Sequence, residues 1–300
     1  MARTSSRTVA SWSSEALTGW QRTRHLAVPV ALRFVSHAVL IAATLIISMP
    51  FVWMLSTSLK PLPDVFIFPP VWIPPHPQWQ NFVDAWNASI FGRFYVNSIV
   101  VTCAILAGQL VNVTMAAYAF SWLRFPGRDT MFLMFLATMM IPAQVTIVPV
   151  FITLTGLGWI DTYAALIVPF FGSAFGTFLV RQMFLSLPAE LVDAAKLDGA
   201  GHFRTLWSVM VPLSTPMIVT FGLLTFMFHW NDYFFPLIVT TSLQMRTLPI
   251  GLTLFEQADA GTNWNLLMAA AIFVMAPILI LFLFAQRQFI QGIARTGLNG

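Results

Sequence analysis

The stretch ELVDAAKLDGAGHF, residues 190–203, places three acidic residues, a lysine and a histidine within fourteen positions of an otherwise apolar chain. The whole sequence is 58% hydrophobic and 9% charged, with a mean hydropathy of +0.78, whereas ordinary globular chains carry about 25% charged residues. A chain of 300 residues with so few charges must meet lipid over much of its surface. The charged stretch is therefore predicted to lie outside the membrane, between two membrane-embedded parts of the chain.

Six segments around this stretch contain no Asp, Glu, Lys or Arg: residues 34–59, 94–123, 130–160, 162–180, 205–231 and 260–286. Each reaches or exceeds the roughly 17–25 residues that a helix needs to cross a hydrocarbon core of about 30 Å. In lipid every backbone polar group must be satisfied internally, which a helix achieves and an open sheet does not. The predicted fold class is therefore all-α integral membrane, with six transmembrane helices.

These segments set the predicted domain organisation. Residues 1–34 form an N-terminal tail, residues 35–286 a transmembrane domain, and residues 287–300 a C-terminal tail. The spans are predicted near residues 35–57, 97–119, 131–154, 163–180, 213–235 and 266–284, with a loop over 184–206 between the fourth and the fifth. Seven prolines in SLKPLPDVFIFPPVWIPPHPQWQNF, residues 58–82, exclude a regular helix through most of that loop. Its Trp and Phe residues favour a position near the membrane interface.

Orientation follows from the Lys and Arg residues, which are enriched on the cytoplasmic side of membrane proteins. With a cytoplasmic N-terminus, twelve of the fifteen lie inside and only Lys60, Arg93 and Arg246 lie outside. Both termini are therefore predicted to be cytoplasmic. The net charge of +4 reflects this topology and gives no argument for nucleic-acid binding.

The sequence offers no candidate catalytic or metal site. A phosphate-binding P-loop needs a lysine that follows glycine, whereas Lys60 follows Leu59 and Lys196 follows Ala195. The five histidines lack metal-ligand spacing. The single Cys103 allows no disulfide within the chain and is predicted to be a buried small hydrophobe. No enzyme activity, metal or cofactor is therefore expected on this chain.

Four polar residues within or beside the predicted spans are candidates for a substrate path: Asn112, Gln144, Asn231 and Asp232. Polar groups inside a membrane usually face protein or a water-filled path. An interhelical hydrogen bond is the alternative role for the first two, and anchoring of a loop is the alternative for the last two, which lie in WNDYFFPL at 230–237. The run GSAFG at 172–176 has the spacing that lets two helices approach closely.

The loop over 184–206 has the local pattern of a short helix. Ser186 is placed to cap it, Pro188 suits its first turn, and Gly199 is placed to end it in a left-handed conformation. A second helix is predicted to run from about His202 into the fifth span. The alanines leave room for a partner's backbone, and Leu191 and Leu197 supply apolar contact. This pattern predicts a rigid projection that faces a cytoplasmic partner.

The run DAAKLDGA followed by VPLSTP at 211–216 resembles the EAA loop of ABC-transporter membrane subunits. SLKP at 58–61, YAFSWLRFPGR at 118–128, IPAQVTIVPVF at 141–151, WNDYFFPL and the terminal QRQFIQGIARTGLNG are similar to the maltose-type carbohydrate-importer permeases, so the resemblance covers about residues 35–300. Asp193 departs from the family, which usually has Glu at this position.

The resemblance implies a permease subunit of an ATP-driven sugar importer in the inner membrane of a prokaryote. Its expected partners are a second, similar permease subunit, a dimer of ATPase subunits that hold ATP and Mg, an extracytoplasmic substrate-binding protein, and membrane lipid. The expected ATPase-coupling residues are Glu190, Asp193, Ala194, Ala195, Asp198 and Gly199. Two other classes stay open at this point. An ion-coupled secondary transporter would need acids near the membrane midplane, and a membrane enzyme would need a catalytic cluster at one membrane face.

Overall fold

A computed structural model describes residues 30–255 and 262–297 of the chain. Most of the described residues are helical, and none of them lies in a strand. They belong to two compact units, residues 1–53 and 54–300. Residues 1–29 of the predicted N-terminal tail (residues 1–34) lie outside the described residues, so the tail stays a prediction.

The described α-helices follow one another along the chain and are numbered α1 to α14. They are α1 (Val30–Ser58), α2 (Gln80–Asn87), α3 (Phe91–Trp122), α4 (Arg128–Ala137), α5 (Ala143–Gly156), α6 (Tyr163–Ile167), α7 (Ala174–Leu185), α8 (Ala189–Leu197), α9 (His202–Thr205), α10 (Val211–Leu213), α11 (Thr215–Trp230), α12 (Phe234–Val239), α13 (Leu248–Gly251) and α14 (Trp264–Gly297). Short 3₁₀ turns occur at Leu62–Asp64, Thr138–Met140, Val168–Phe170, Leu243–Met245 and Leu252–Phe255, and a π-helix joins α9 to α10 at Leu206–Met210.

Three helices are long and apolar enough to cross a membrane by themselves: Leu32–Ser58, Phe91–Trp122 and Trp264–Arg287. Three further pairs of helices pass the same test only when each pair is taken together, and each pair is bent at a short break. The described residues therefore contain between three and six spans. The predicted C-terminal tail begins inside α14, which continues as a helix to Gly297.

The third predicted span is two helices and not one. Its halves Arg128–Met140 and Ala143–Gly156 meet at 98°, and Pro142 stands at the break. Proline lacks a backbone N–H and restricts the residue before it, so a helix ends readily there. The helices Tyr163–Phe170 and Ala174–Leu185, in the fourth predicted span, are bent by 40°. The helices His202–Leu213 and Thr215–Trp230 are bent by 83°, so the fifth predicted span of residues 213–235 begins at a break, and its helix ends at Trp230.

The core of the larger unit forms where α3, α7, α11 and α14 meet. At Gly176 in α7, an added Cβ would collide with the ring of Phe221 in α11, whereas Gly172 precedes α7 and has open space beside it. The close approach that GSAFG allows therefore occurs at one of its two glycines. The Trp230 Nε1–H donates to the Val274 carbonyl at 2.8 Å and joins α11 to α14. Cys103, predicted to be buried, is exposed, because it lies on the face of α3 that points away from this core.

Candidate functional site: a charged helix between two spans

The charged stretch forms α8, which begins immediately after Pro188. The backbone of Pro188 is extended at ψ 134°, and no side chain caps the first turn. The predicted cap at Ser186 is wrong, since its hydroxyl donates to the Met183 carbonyl of the preceding helix at 2.7 Å. Glu190 lies in the first turn, where a carboxylate interacts favourably with the helix dipole.

α8 ends in the left-handed turn that the sequence predicts. Gly199 has φ +76°, a conformation in which a side chain would be strained. The Gly199 N–H donates to the Lys196 carbonyl at 2.9 Å, and the Ala200 N–H donates to the Ala195 carbonyl at 2.9 Å. This pair of bonds is the Schellman arrangement, which satisfies carbonyls that the helix end would leave open. A second helix then starts at His202, as predicted.

The two faces of α8 differ in what they contact. Val192 is 1% exposed and Ala195 is 7% exposed, so both face the body of this chain. The other predicted coupling residues are exposed, namely Glu190, Asp193, Ala194, Asp198 and Gly199. Ala195 therefore packs against its own chain, and Ala194 is the alanine that leaves room on the outer face. Leu197 is 90% exposed and stands at the end of that face.

The buried face of α8 joins a cluster that reaches three of the proposed spans. Val192 belongs to one buried cluster with Val113 and Tyr118 of α3, Val180 and Phe184 of α7, Leu206 and Met210 of the π-helix, and Phe221 of α11. A hydrogen bond adds to this contact, because the Tyr118 hydroxyl lies 3.1 Å from His202 Nδ1. Through this cluster α8 is connected to α3, α7 and α11.

The charges on the exposed face are only partly paired. Lys196 Nζ donates to the Asp193 carboxylate at 3.0 Å, with the two side chains 54% and 65% exposed. Ion pairs this exposed contribute little stability, typically about 0–1 kcal/mol. Because Lys196 offsets only one of the three acidic residues Glu190, Asp193 and Asp198, the exposed face of α8 has a net negative charge. Such a face suits a polar or basic partner.

Asn112 lies on α3 opposite the break in the fourth proposed span. Its Nδ2 donates to the Phe171 carbonyl at 3.2 Å. One helical turn earlier, Gln109 Nε2 donates to the Phe170 carbonyl at 2.7 Å. The two amides therefore satisfy carbonyls that the break between α6 and α7 leaves without helical partners. Asn112 makes the interhelical bond that the sequence analysis left open as its alternative role.

Gln109 also belongs to a buried polar cluster. Thr225 donates to Gln109 Oε1 at 3.2 Å, and Gln109 Nε2 lies 3.3 Å from His229 Nε2. These side chains, with Ser173 and several phenylalanines, line a cavity of about 470 Å³. Sequence reasoning did not select Gln109 or His229. Gln109 could have been selected from its spacing to Asn112, because residues three apart lie on one face of a helix.

Gln144 and Asp232 line a second cavity of about 260 Å³, together with rings that include Phe170 and Phe228. Asp232 lies just past the end of α11, and its carboxylate accepts the Phe235 N–H at 3.3 Å. Asn231 is exposed and donates to the Met227 carbonyl of its own helix at 2.8 Å. The structure therefore brings Gln144 and Asp232 together, whereas Asn231 lines neither of the two cavities. The contact at Phe235 is of the anchoring kind that the sequence analysis gave as the alternative for Asp232.

Comparison with known proteins gives one family match, to the binding-protein-dependent transport system inner membrane component over residues 111–295. The sn-glycerol-3-phosphate transport system permease protein UgpE of Brucella abortus (strain 2308) is 35% identical over 274 residues, 87% of this chain and 96% of that protein. The protein of the same name from Yersinia pestis bv. Antiqua (strain Antiqua) is 35% identical over 265 residues, 86% of this chain and 94% of its own.

Among solved structures, a chain of a bacterial ABC transporter involved in the import of the acidic polysaccharide alginate aligns with a TM-score of 0.77 and 24% identity. The alignment covers 86% of this chain and 96% of that chain. A chain of the bacterial alginate ABC transporter in complex with alginate pentasaccharide-bound periplasmic protein aligns with a TM-score of 0.58 and 15% identity, over 85% and 94% of the two chains. These likenesses support the helical fold.

Proposed function

The chain belongs to the family of binding-protein-dependent transport system inner membrane components, and from this we propose that it forms half of the translocation path of an ATP-driven sugar importer. The resemblance that the EAA-like run indicated is thereby confirmed at the level of the family. In this proposal the chain converts no substrate chemically. Its task is to open and close a path when partner subunits bind and hydrolyse ATP.

The observation that carries the proposal is the two-faced contact of α8. Its inner face packs through Val192 into a cluster with α3, α7 and α11, while its outer face presents Glu190, Asp193, Ala194 and Leu197. A helix of this kind can bind an external partner on one face while its other face stays packed against the membrane helices. Glu190, Asp193, Ala194, Asp198 and Gly199 would contact the ATPase, and Ala195 would hold α8 against the membrane helices.

The proposed topology counts each bent helix pair as one span, which gives six. Both termini are then cytoplasmic, residues 35–286 form the permease domain, and α8 lies in the cytoplasmic loop 184–206. This orientation agrees with the excess of Lys and Arg on the proposed inner side. It places α8 where a cytoplasmic ATPase dimer can bind, and the loop around α2 where an extracytoplasmic binding protein can approach.

For the substrate path we propose the two cavities beside the break between α6 and α7. One is lined by Gln109, Ser173, Thr225 and His229, the other by Gln144 and Asp232. Both combine aromatic rings with a few polar groups, which is the usual composition of small-molecule sites. A sugar or polyol fits this composition, since its hydroxyls take hydrogen bonds and its carbon faces contact rings.

A glycerol phosphate is the second candidate substrate. It is favoured by the names of the relatives that are 35% identical to this chain. An ion-coupled secondary transporter, the other class considered from the sequence, would carry its substrate without any ATPase partner. Transport that survives deletion of the ATPase would support that class.

The test is purification of the tagged chain from its native cell in mild detergent, with the stoichiometry of the proteins that accompany it. One sister permease and two ATPase copies are expected, and the ligand of a co-purified binding protein then identifies the substrate. A chain recovered alone, or as a homo-oligomer with no ATPase after cross-linking, would contradict the proposal.

A further inference from the structure

Three large apolar side chains stand out from the proline-rich loop that follows α1. Phe66 is 71% exposed, Phe68 is 91% exposed and Ile73 is 85% exposed. They lie within eight residues of one another, and residues 65–83 contain no Asp, Glu, Lys or Arg. We refer to Phe66, Phe68 and Ile73 as the outer tip.

The loop that carries the outer tip is firmly held at its base. The Gln78 N–H donates to the Leu59 carbonyl at 2.8 Å. Asn81 Nδ2 lies 2.8 Å from the carbonyls of both Ser58 and Lys60, and Asn81 Oδ1 accepts from Asn265 at 3.1 Å. These bonds tie the loop to the end of α1 and to the start of α14. The tip is thus presented in a fixed position.

The position of the outer tip along the membrane normal follows from its contact with α14. The ring of Phe66 packs edge-on against that of Trp264, with centroids 5.9 Å apart. Trp264 is the first residue of the apolar span Trp264–Arg287. Lower on the same helix, Phe273 packs against Phe82 of α2 at 5.9 Å, about 13 Å further along at 1.5 Å per residue. The loop therefore lies beside the Trp264 end of this span, which the proposed topology places on the outer side.

We propose that the outer tip is a lipid-binding surface, with Phe66, Phe68 and Ile73 inserted at the boundary between headgroups and acyl chains of the outer leaflet. The span beginning at Trp264 adjoins the tip, with Trp264 itself 38% exposed and no Asp, Glu, Lys or Arg in residues 264–286. Aromatic rings are favoured at this depth. A charged side chain would be costly there, and residues 65–83 contain none.

This surface has a role apart from the transport chemistry. It anchors the loop to the membrane next to α2, which packs on α14 through Phe82 and Trp86. The loop base and the Trp264 end of the last span are then fixed relative to the bilayer. The inference holds for any transported substrate.

The test uses nitroxide spin labels on the complete transporter in lipid nanodiscs. The exposed Cys103 is replaced by Ala, and single cysteines are introduced by Phe68→Cys or Ile73→Cys in an assembly whose other subunits carry no accessible cysteine. The His76→Cys variant of the same loop is the matched control, because His76 is exposed and polar. The collision rate of each label is then measured with oxygen, which concentrates in lipid, and with a water-soluble nickel chelate.

At positions 68 and 73 the collision rate with oxygen is expected to exceed that with the nickel chelate several-fold, with the reverse order at position 76. A nickel rate above the oxygen rate at position 68 would place the tip in water and overturn the proposal. Low rates with both agents would mean that protein covers the tip, which would also overturn it. Either label alone suffices, so failure of one variant to assemble leaves the test intact.

Discussion

At the scale of single residues, Gly199 both ends α8 through its backbone conformation and belongs to the proposed ATPase-coupling residues. Its φ of +76° ends α8, and an added Cβ would point into open space. A Gly199→Asp variant carries a strain of roughly 1–2 kcal/mol and a new charge on the proposed ATPase-facing side. We expect ATP hydrolysis to continue while transport is lost, measured as the ratio of ATP hydrolysed to substrate moved in proteoliposomes.

Gly199→Asn is the matched control for this prediction. Asn adopts left-handed conformations more readily than other residues and brings no charge. We expect it to retain most of the coupling. Normal transport by Gly199→Asp, with the protein inserted in the membrane, would contradict the role assigned to the end of α8.

Two adjacent alanines allow packing within this chain to be tested separately from binding of the ATPase. Ala195 is 7% exposed and Ala194 is exposed. Ala195→Leu overpacks the chain's own contact, at a cost of about 1–3 kcal/mol, and should lower the melting temperature in detergent. Ala194→Leu should leave that temperature unchanged but reduce the amount of ATPase that co-purifies. If the effects were exchanged, the assignment of the two faces of α8 would be wrong.

At the scale of structural elements, the bond between Tyr118 and His202 joins α3 to the segment that follows α8. Tyr118→Phe removes the hydroxyl that lies 3.1 Å from His202 Nδ1. A hydrogen bond of this kind contributes about 0.5–1.5 kcal/mol. We therefore expect a severalfold drop in substrate moved per ATP hydrolysed, with insertion unaffected.

Ser121→Ala is the control for Tyr118→Phe. Ser121 lies one turn further along α3, and its hydroxyl donates only to carbonyls of its own helix. An equal drop in both variants would show that the effect comes from α3 in general and not from its link to His202.

Asp161 links two loops on the proposed outer side. Partial burial alone would raise the pKa of its carboxyl, but the N–H groups of Ser242 and Thr241 donate to it at 3.0 and 2.9 Å and hold that pKa below its usual value. A lowered pKa in the folded state means that the stabilisation is present above the pKa of the unfolded chain. It is lost as pH falls through the lower, folded-state pKa.

We expect Asp161→Asn to be less stable than the parent at neutral pH, with the difference shrinking as the parent's carboxylate becomes protonated. Thermal unfolding in detergent, followed from about pH 7 to about pH 3 and thus across the usual aspartate pKa of 3.9, measures this. Asn tolerates the φ of +62° found at this position, so the backbone is preserved. Parallel profiles for the two proteins would contradict the role of the charge.

The sequence allowed a good part of these elements to be predicted. Charge-free segments marked six apolar regions because a buried charge in lipid is costly, and the end of α8 followed from a glycine that accepts a left-handed turn. Ser186 failed as a cap because α8 starts three residues later, after an extended proline. The cluster of Gln109, Thr225 and His229 joins positions 116 and 120 residues apart, and no local pattern in one sequence encodes such a contact.

At the scale of the whole molecule, the proposed six spans place the loop before α2 outside the cell membrane and α8 inside. Both segments offer exposed positions at His76 and Ala194. In a Cys103→Ala background, His76→Cys should react with a membrane-impermeant maleimide on intact spheroplasts, and Ala194→Cys only after permeabilisation. Labelling of both, or of neither, on intact spheroplasts would contradict this orientation.

The central claim is that the exposed face of α8 touches an ATPase, and Leu197 on this face is 90% exposed. A photoreactive benzophenone attached through Leu197→Cys, in the Cys103→Ala background, tests it directly in membranes that contain the assembled transporter. We expect a single cross-linked product of this chain with the ATPase subunit. A label that reacts only with lipid, or with no protein, while transport continues, would contradict the claim.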